Sequence, residues 1–548
     1  MNCRSAIRRS HSIEAALLTG MLLAFLAALL SLLPQKGLFI DDSMHMPAGY
    51  SYLLTHDYRL NQEHPPLIKL LSGLGLWRLH PQFPFDSPGW QQAATPEDPE
   101  DGMTRIEEAF FDRNAAQFEQ IAFYGRLPVL VIPLLLLLAV WWFTRQLFGP
   151  VAALIAVFLL ATEPNIAGNS IVVQNDIASA LALLLFVIAL KKFLTDDGML
   201  GALLLGGALG LALVTKYSLL VLVPVAFAIL VIRASWRLIR KRFSVKSEVL
   251  LPLVVFGAAY FILIAFYSFG VDIPPLLPRY FVYGVHMVVQ DTREGRPAFL
   301  LGQVSDTGWW YYFPVAFALK TTIPFLVTSI GGLVWAVIQV FRGKRYVLLY
   351  ALLPGVLYLG LTMTSHLNIG VRHLLPMFPF VAVTGAALVA ALVEAGTRRS
   401  RVLGVSCALV LLAPSLAIAI STFPNYLTYF NPLAGGSERG WQKLSDSNVE
   451  TGQEVKPLAR YLQARGENRV TGIMVGGEFL KFYGVELEDF PGWYDDDDPS
   501  DPETKYVAIG AWYFSEIDLS DEQKEIIDRY RHQQPEAMVG NSIFVFRR

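Results

Sequence analysis

AALLTGMLLAFLAALLSLLP, residues 15–34, runs for a full membrane's width without one charged side chain. A helix of about 20 apolar residues, rising 1.5 Å per residue, covers the ~30 Å hydrocarbon core of a bilayer. Arg4, Arg8 and Arg9 precede it. A basic start followed by an apolar run also opens secretory signal peptides. Here the run is long and no small-residue A-x-A site closes it, so an uncleaved first span is expected. The same texture returns near 126–143, 151–165, 171–190, 199–215, 217–232, 249–270, 311–340, 346–363, 373–395 and 402–422, about eleven spans in all. The 151–165 block is short, and 199–232 reads either as one long helix or as a tight hairpin. Composition agrees. Of the 548 residues 54% are apolar and 16% charged, against about 25% charge in soluble domains. The net charge of −2 gives no basic field of the kind nucleic-acid binders use. Cys3 and Cys407 form no CxxC, zinc spacing or disulfide pattern.

Lys and Arg in short loops set orientation. Arg145 follows the second span, Lys191 and Lys192 the fourth, and SWRLIRKRFSVK (235–246) the sixth. Arg342, Lys344 and Arg345 follow the eighth, and Arg398, Arg399 and Arg401 the tenth. Every second boundary is basic. The expectation is a multi-pass protein of the cell (inner) membrane with a cytoplasmic N-terminus and an extracytoplasmic tail. The fold class is therefore mainly α, a polytopic helix bundle over 1–422, with a first outer loop at 35–125. A small extracytoplasmic α/β C-terminal domain is read over 423–548. Within it RVTGIMV (469–475), KYVAIGAWY (505–513) and NSIFVFRR (541–548) read as strands; GGEFLKFYG (476–484) reads as a short helix and DEQKEIIDRYR (521–531) as an amphipathic one. PGWYDDDDPSDPET (491–504) lacks EF-hand spacing and reads as a solvated acidic loop. GWWYYF (308–313) reads as an interfacial aromatic belt rather than a sugar platform.

Charges at membrane depth cost ~2.5–3.5 kcal/mol or more and face wet cavities, so those that break the apolar pattern mark a site. Asp41 and Asp42 follow the first span, and Glu63 and His64 lie in NQEHPPLIK (61–69). Glu163, Asn169 and Asp176 bracket the turn between the third and fourth spans. Lys216 and Lys320 interrupt apolar runs, and Arg372 and His373 open the tenth span. Loop charge alone puts all of them on the outer half. A carboxylate there takes a proton from an acceptor hydroxyl. Lys and Arg neutralise a phosphate leaving group. A lipid-phosphate-linked sugar brings phosphate to this depth while its tail stays in lipid. Neither a Walker A nor a Rossmann glycine motif occurs, which argues against an ATP-driven pump. The readings set against this one are ordinary: a helix cap for Asp41 and Asp42, snorkelling for Lys216, and an ion pair with an acid such as Asp176 for Arg372. His45, four residues after Asp41, shares its helical face, while Pro47 predicts a short turn. Pro65 and Pro66 predict a helix start, with Leu67, Leu70, Leu71 and Leu74 along the interface. No cofactor is demanded. A divalent metal among Asp41, Asp42, Glu63 and His64 is left open, with no spacing that requires it.

DDSMHMPAGYSYLLTHDYRLNQEHPPLIKLL (41–71) resembles the first outer loop of the protein O-mannosyltransferase-like family, glycosyltransferase family 39. GNSIVVQND (168–176), GLALVTKYS (210–218), FALKTTIP (317–324) and NIGVRHLLPMFPF (368–380) are similar to later blocks of its bacterial members. NYLTYFNPLAGG (425–436) and DSNVETGQEVKPLARYL (446–462) resemble their tail. The resemblance implies the C-type glycosyltransferase fold and inverting transfer of a sugar from a polyprenyl phosphate on the outer face. It puts the general base in the Asp41–Asp42 pair, where the second acid is usually Glu. Asn169 stands where relatives have His, and Glu450–Thr451 replace Asp-Trp, which argues against a catalytic tail.

The expected enzyme is thus a glycosyltransferase acting on a protein, lipid or glycan hydroxyl. Asp41 and Asp42 supply the base, and Glu63, His64, Asp176, Lys216, Lys320, Arg372 and His373 bind substrate. The alternative, a transporter or flippase for lipid-linked saccharides, calls for inverted repeats or a midplane site, and the sequence has neither.

Overall fold

The computed structural model describes residues 3–93, 99–267, 276–343, 345–394, 397–491, 493, 504–517 and 519–548, with backbone alone for 3–10, 99–101 and 400. Eight described helices are long and apolar enough to cross a membrane. They are His11–Leu32, Ala115–Phe148, Asp176–Asp196, Tyr217–Ile239, Lys246–Tyr267, Ile323–Phe341, Val371–Val393 and Arg401–Thr422. Three shorter apolar helices, Pro150–Ala161, Met199–Leu213 and Tyr346–Thr362, coincide with the remaining blocks read from the sequence. The 199–232 stretch is two helices. Extended backbone at Lys216 and a 3-10 turn, Tyr217–Val221, separate them.

The 311–340 block is also two helices rather than the single span expected. Tyr312–Lys320 ends at Thr321, and Ile323–Phe341 restarts behind Thr322 with Pro324 in its first turn. Helix breaks at membrane depth persist only where protein satisfies the freed backbone. Here a second break, after Pro150–Ala161, supplies the partner. The Glu163 carboxylate accepts from the Thr322 hydroxyl at 2.9 Å, the Thr322 N–H at 3.3 Å and the Asn165 amide at 2.7 Å. The Asn165 amide also donates to the Lys320 carbonyl at 2.8 Å.

The loop after the first span positions the site. The first helix, α1 (Cys3–Leu32), leads into α2 (Ile40–Thr55), then into α3 (Leu67–Leu76). Pro47 lies inside α2, so the short turn expected there is instead a 16-residue helix. The start of α3 behind Pro65 and Pro66 agrees with the sequence reading. Its buried face is Ile68, Lys69, Ser72, Gly73 and Leu76, while Leu74 faces outward. Small residues let α2 and α3 cross closely: a Cβ on Gly49 would lie 1.8 Å from the Lys69 carbonyl oxygen, and one on Gly73 2.5 Å from that of Gly49.

The described tail forms a five-stranded sheet. After a hairpin of β1 (Ala298–Leu300) and β2 (Gln303–Ser305) in the preceding loop, its strands are β3 (Arg469–Ile473), β4 (Glu486–Glu488), β5 (Tyr506–Gly510), β6 (Ala537–Val539) and β7 (Ile543–Arg547). The order is β4-β3-β5-β7-β6, with β3 parallel to both β4 and β5, and β7 antiparallel to β5 and β6. Helix Asp521–Arg531 has the expected bounds and starts at a Ser520 capping box. The helix expected at 476–484 is a 3-10 turn, Gly477–Tyr483. The Asp run of the 491–504 loop lies outside the described residues.

Candidate active site

Four helix beginnings and one helix break converge on one cavity of about 510 Å³. Asp41 enters from the first turn of α2, where the positive end of the helix dipole favours a carboxylate. Glu63 and His64 enter from the loop before α3, and Asp176 from the first residue of its own helix. Lys216 comes from the 214–216 break, and Arg372 and His373 from the 3-10 turn Val371–Met377. Seven of the nine site residues expected from sequence therefore line a single space. Val285, Val288 and Val289, on the helix Arg279–Glu294, and Leu220, Leu361 and Leu367 give it an aliphatic flank.

Opposite charges organise the polar floor. The Arg372 guanidinium donates from Nη1 to Asp41 Oδ2 at 2.6 Å and to Gln174 Oε1 at 2.9 Å, and its buried Nε has no partner. The Lys216 ammonium is paired with Asp176. Asp176 is thus the partner of Lys216, and Arg372 takes Asp41. His373 stacks with Phe313, ring centroids 6.3 Å apart. Within GWWYYF, Phe313 lines the cavity, while Trp310 is 69% exposed, as a belt residue is.

Two expected residues lie elsewhere. Asp42 is fully buried, on the side of α2 away from the cavity. Its carboxylate accepts from Arg126 Nε at 2.7 Å, from the Val173 N–H at 2.7 Å and from the Phe39 N–H at 3.2 Å. Adjacent residues on a helix point about 100° apart, so the pair cannot share a target. Lys320 is fully buried at the helix break and donates to the Leu427 carbonyl at 2.7 Å and the Asn448 carbonyl at 2.6 Å. Its ammonium also sits 4.2 Å from the Phe430 ring centre. It ties the break to the tail and takes no part in the cavity. Among the other polar residues read from sequence, Asn169 donates to the Asn165 carbonyl and accepts from Gln174, supporting the turn behind the floor.

Several supports escaped the sequence reading. Gln174 shares Arg372 with Asp41. The tail turn Asp446–Asn448 holds the segment bearing Arg372: Ser447 donates to the Ile369 carbonyl at 2.6 Å, and Asn448 accepts from the Val371 N–H at 2.9 Å. Burial raises the Asp446 carboxyl to about 6. Lys69 is buried on α3, donates to the His64 carbonyl at 2.7 Å, and is lowered to about 7 by burial. Gln174 and Asp446 stood inside quoted motifs, but a single amide or a D-S-N turn carries no signal of its own.

Ligand atoms of Asp41, His45 and His64 lie within 4.8 Å of one another. Burial holds His45 down to about 4 and His64 well below its ordinary value, so both rings are neutral donors. His45 Nδ1 faces the Val173 carbonyl, leaving Nε2 free to ligate. These three residues fit a divalent cation, with His45 in place of the Asp42 and Glu63 of the sequence reading.

A family model described as dolichyl-phosphate-mannose-protein mannosyltransferase matches residues 116–261, which hold Asp176 and Lys216. No curated protein matches the sequence. The chain is similar to the crystal structure of ArnT from Cupriavidus metallidurans bound to undecaprenyl phosphate, at 13% identity over 96% of this chain and 97% of that one, TM-score 0.47. It is also similar to the Archaeoglobus fulgidus oligosaccharyltransferase tethered with an acceptor peptide, at 10% identity over 89% of this chain and 60% of that one, TM-score 0.49. The match to that mannosyltransferase family thus rests on residues 116–261, within a chain whose described residues include eight helices long and apolar enough to cross a membrane.

Proposed function

We propose that the chain transfers a hexosyl group, mannose or another hexose, from a polyprenyl phosphate to an acceptor hydroxyl. Transfer takes place at the extracytoplasmic face of the cell (inner) membrane and inverts the anomeric centre. The observation that carries this reading is the Asp41–Arg372 pair, 2.6 Å apart, at the polar floor of a cavity with an aliphatic flank. The donor phosphate takes over Arg372 and so releases the Asp41 carboxylate. Asp41 removes the acceptor proton as the acceptor oxygen bonds to the anomeric carbon. The bond from that carbon to the phosphate oxygen breaks, and polyprenyl phosphate leaves with its new charge held by Arg372 and Lys216. A single displacement inverts the centre. Glu63, His64 and His373 face the sugar hydroxyls. A divalent cation, if bound, would sit on Asp41, His45 and His64 and supply Lewis-acid stabilisation to the phosphate. The alternation of basic loops supports a cytoplasmic N-terminus and an extracytoplasmic tail domain from 423.

The test is Asp41→Asn, purified and assayed with a polyprenyl-phosphate hexose. Loss of the base lowers turnover by about 10²–10⁴. Transfer at the wild-type rate removes Asp41 from that role. Mass spectrometry of glycans from a deletion strain names the sugar.

A further inference from the structure

Arg296 and Arg372 both line the 510 Å³ cavity, and the tail segment 443–448 holds the backbone beside each of them. On one side it pairs with the hairpin that follows Arg296. Leu444 bridges to Leu300 of β1, and the Leu301 N–H donates to the Lys443 carbonyl at 2.8 Å. On the other side it grips the backbone that leads into Arg372, where Ser447 donates to the Ile369 carbonyl and Asn448 accepts from the Val371 N–H. The approach there is close. A Cβ on Gly370 would lie 2.1 Å from Ser447 Oγ, so glycine is what lets the tail turn lie against this backbone.

Asp446 sits inside that segment. Its backbone is left-handed, with φ +60°, a conformation that costs free energy in any residue with a Cβ, although Asp tolerates it better than most. Its carboxylate is half-buried, accepts from the Ser447 N–H and makes no ion pair among the described residues. Burial raises this carboxyl, and the positive charges of Arg372 and Arg296 act against that rise. A strained, half-buried acid without a salt bridge is a poor choice for stability, and such residues gather at functional sites. Asp446 does not line the cavity, so it acts through the arginines. Arg372 needs an orienting charge: among the described residues its hydrogen bonds all leave from Nη1, and its Nε is buried without a partner. Three acids act on it, Asp41, Asp176 and Asp446. In the transfer reaction Asp41 leaves for the acceptor proton, and Asp176 is already paired with Lys216. Asp446 is the acid that stays.

We propose that Asp446 is a positioning residue for transfer: with the 443–448 segment as a clamp, it holds Arg372 and Arg296 in register for the donor phosphate. The phosphate rests on the transferase reading; the clamp stands on the contacts themselves. The test uses full-length protein in nanodiscs with a polyprenyl-phosphate hexose. Asp446→Asn keeps an acceptor for the Ser447 N–H and the tolerance for a left-handed backbone, and loses the charge. Misplacing a group by ~1 Å costs up to about a hundredfold, so kcat falls by about ten- to a hundredfold. Donor KM stays level or falls, because an acid near the phosphate is gone, and the thermal midpoint is not lowered. A wild-type kcat, a raised KM at unchanged kcat, or a lowered midpoint each overturns the positioning role. Hydrogen exchange over residues 369–373 reads the clamp without activity. Gly370→Ala wedges Ser447 away and speeds exchange of the Val371 amide by about tenfold, the worth of one hydrogen bond. Adding Ser447→Ala removes the clashing oxygen and restores protection, and if Gly370→Ala alone does not fold, the double variant does. Exchange unmoved by Gly370→Ala, or a double variant that is not restored, overturns the clamp. A clamp seen by exchange in a wild type that neither binds undecaprenyl phosphate nor transfers hexose overturns the transferase reading and leaves the clamp standing.

Discussion

Neighbouring aspartates with opposite duties make a sharp experiment. Asp42 and Arg126 are both fully buried, with Arg126 Nη2 also 2.5 Å from the Gly37 carbonyl and the guanidinium 4.9 Å from the Phe39 ring centre. Replacing Asp42 with Asn turns an amide NH₂ towards two Arg126 donors. It also weakens the acceptor that holds the Phe39 N–H. Breaking one side of a buried pair costs about 3–5 kcal/mol, because the remaining charge has neither water nor a counter-ion. Asp41 is 13% exposed, and its partner Arg372 keeps Gln174 as an acceptor at 2.9 Å, so Asp41→Asn costs less stability than Asp42→Asn. The double variant Asp42→Leu/Arg126→Met removes both charges and recovers most of the loss. The assay is reversible unfolding of full-length protein in mixed micelles, titrated with SDS and followed by tryptophan fluorescence, with transfer activity measured beside it. Asp42→Asn falls in stability, and Asp41→Asn falls in activity alone. If Asp42→Asn keeps wild-type stability yet loses transfer, the division of labour drawn here is wrong and Asp42 belongs to the chemistry.

Arg372→Gln removes the charge-assisted grip on phosphate, worth about 1.5–3 kcal/mol, so undecaprenyl phosphate binding falls by roughly ten- to a hundredfold in a tritiated-lipid assay; an unchanged Kd places the phosphate elsewhere. Lys320→Met leaves the Leu427 and Asn448 carbonyls without a donor. It lowers stability by about 2 kcal/mol or more with donor Kd unchanged, whereas a weakened donor Kd at full stability would return Lys320 to the site. Burial raises the Glu107 carboxyl, in the helix Pro99–Arg113 between the first two spans, from 4.5 to about 8. The folded state then holds a proton that the unfolded chain has lost, so stability declines as pH rises from about 4.5 to 8, by up to about 5 kcal/mol. Glu107→Gln flattens that decline and is the more stable protein at pH 8; a parallel pH profile for both proteins rules out the linkage.

The membrane spans were legible because twenty-residue apolar runs are written locally. So was most of the cavity: Asp41, Asp176, Lys216 and Arg372 stood out as charges that apolar surroundings make expensive. What stayed hidden was direction. Asp41 and Asp42 are identical in sequence terms, and only the register of α2 turns one to the cavity and the other to Arg126. Lys320 looked like a phosphate ligand for the same reason Lys216 did, and the break at Thr321 that carries it to the tail carbonyls is marked by little more than Pro324. Partner choice was equally distant: Arg372 meets an acid 331 positions away. In the tail, β4 and β6 are three residues each, too short to show alternation, so neither edge of the sheet could be foreseen.

The stitching between bundle and tail limits how this protein can be recombined. Lys320 reaches Leu427 and Asn448, Lys36 pairs with Glu454, and Gly37 and Ile40 hydrogen-bond to Gln453 and Thr451. A chimera that joins this bundle to a relative's tail at residue 423 would sever every one of those links at once. Modular exchange would have to carry the 36–40 strip and the 320–322 kink along with the tail, so that the inherited unit is a discontinuous set of segments and not a stretch of chain.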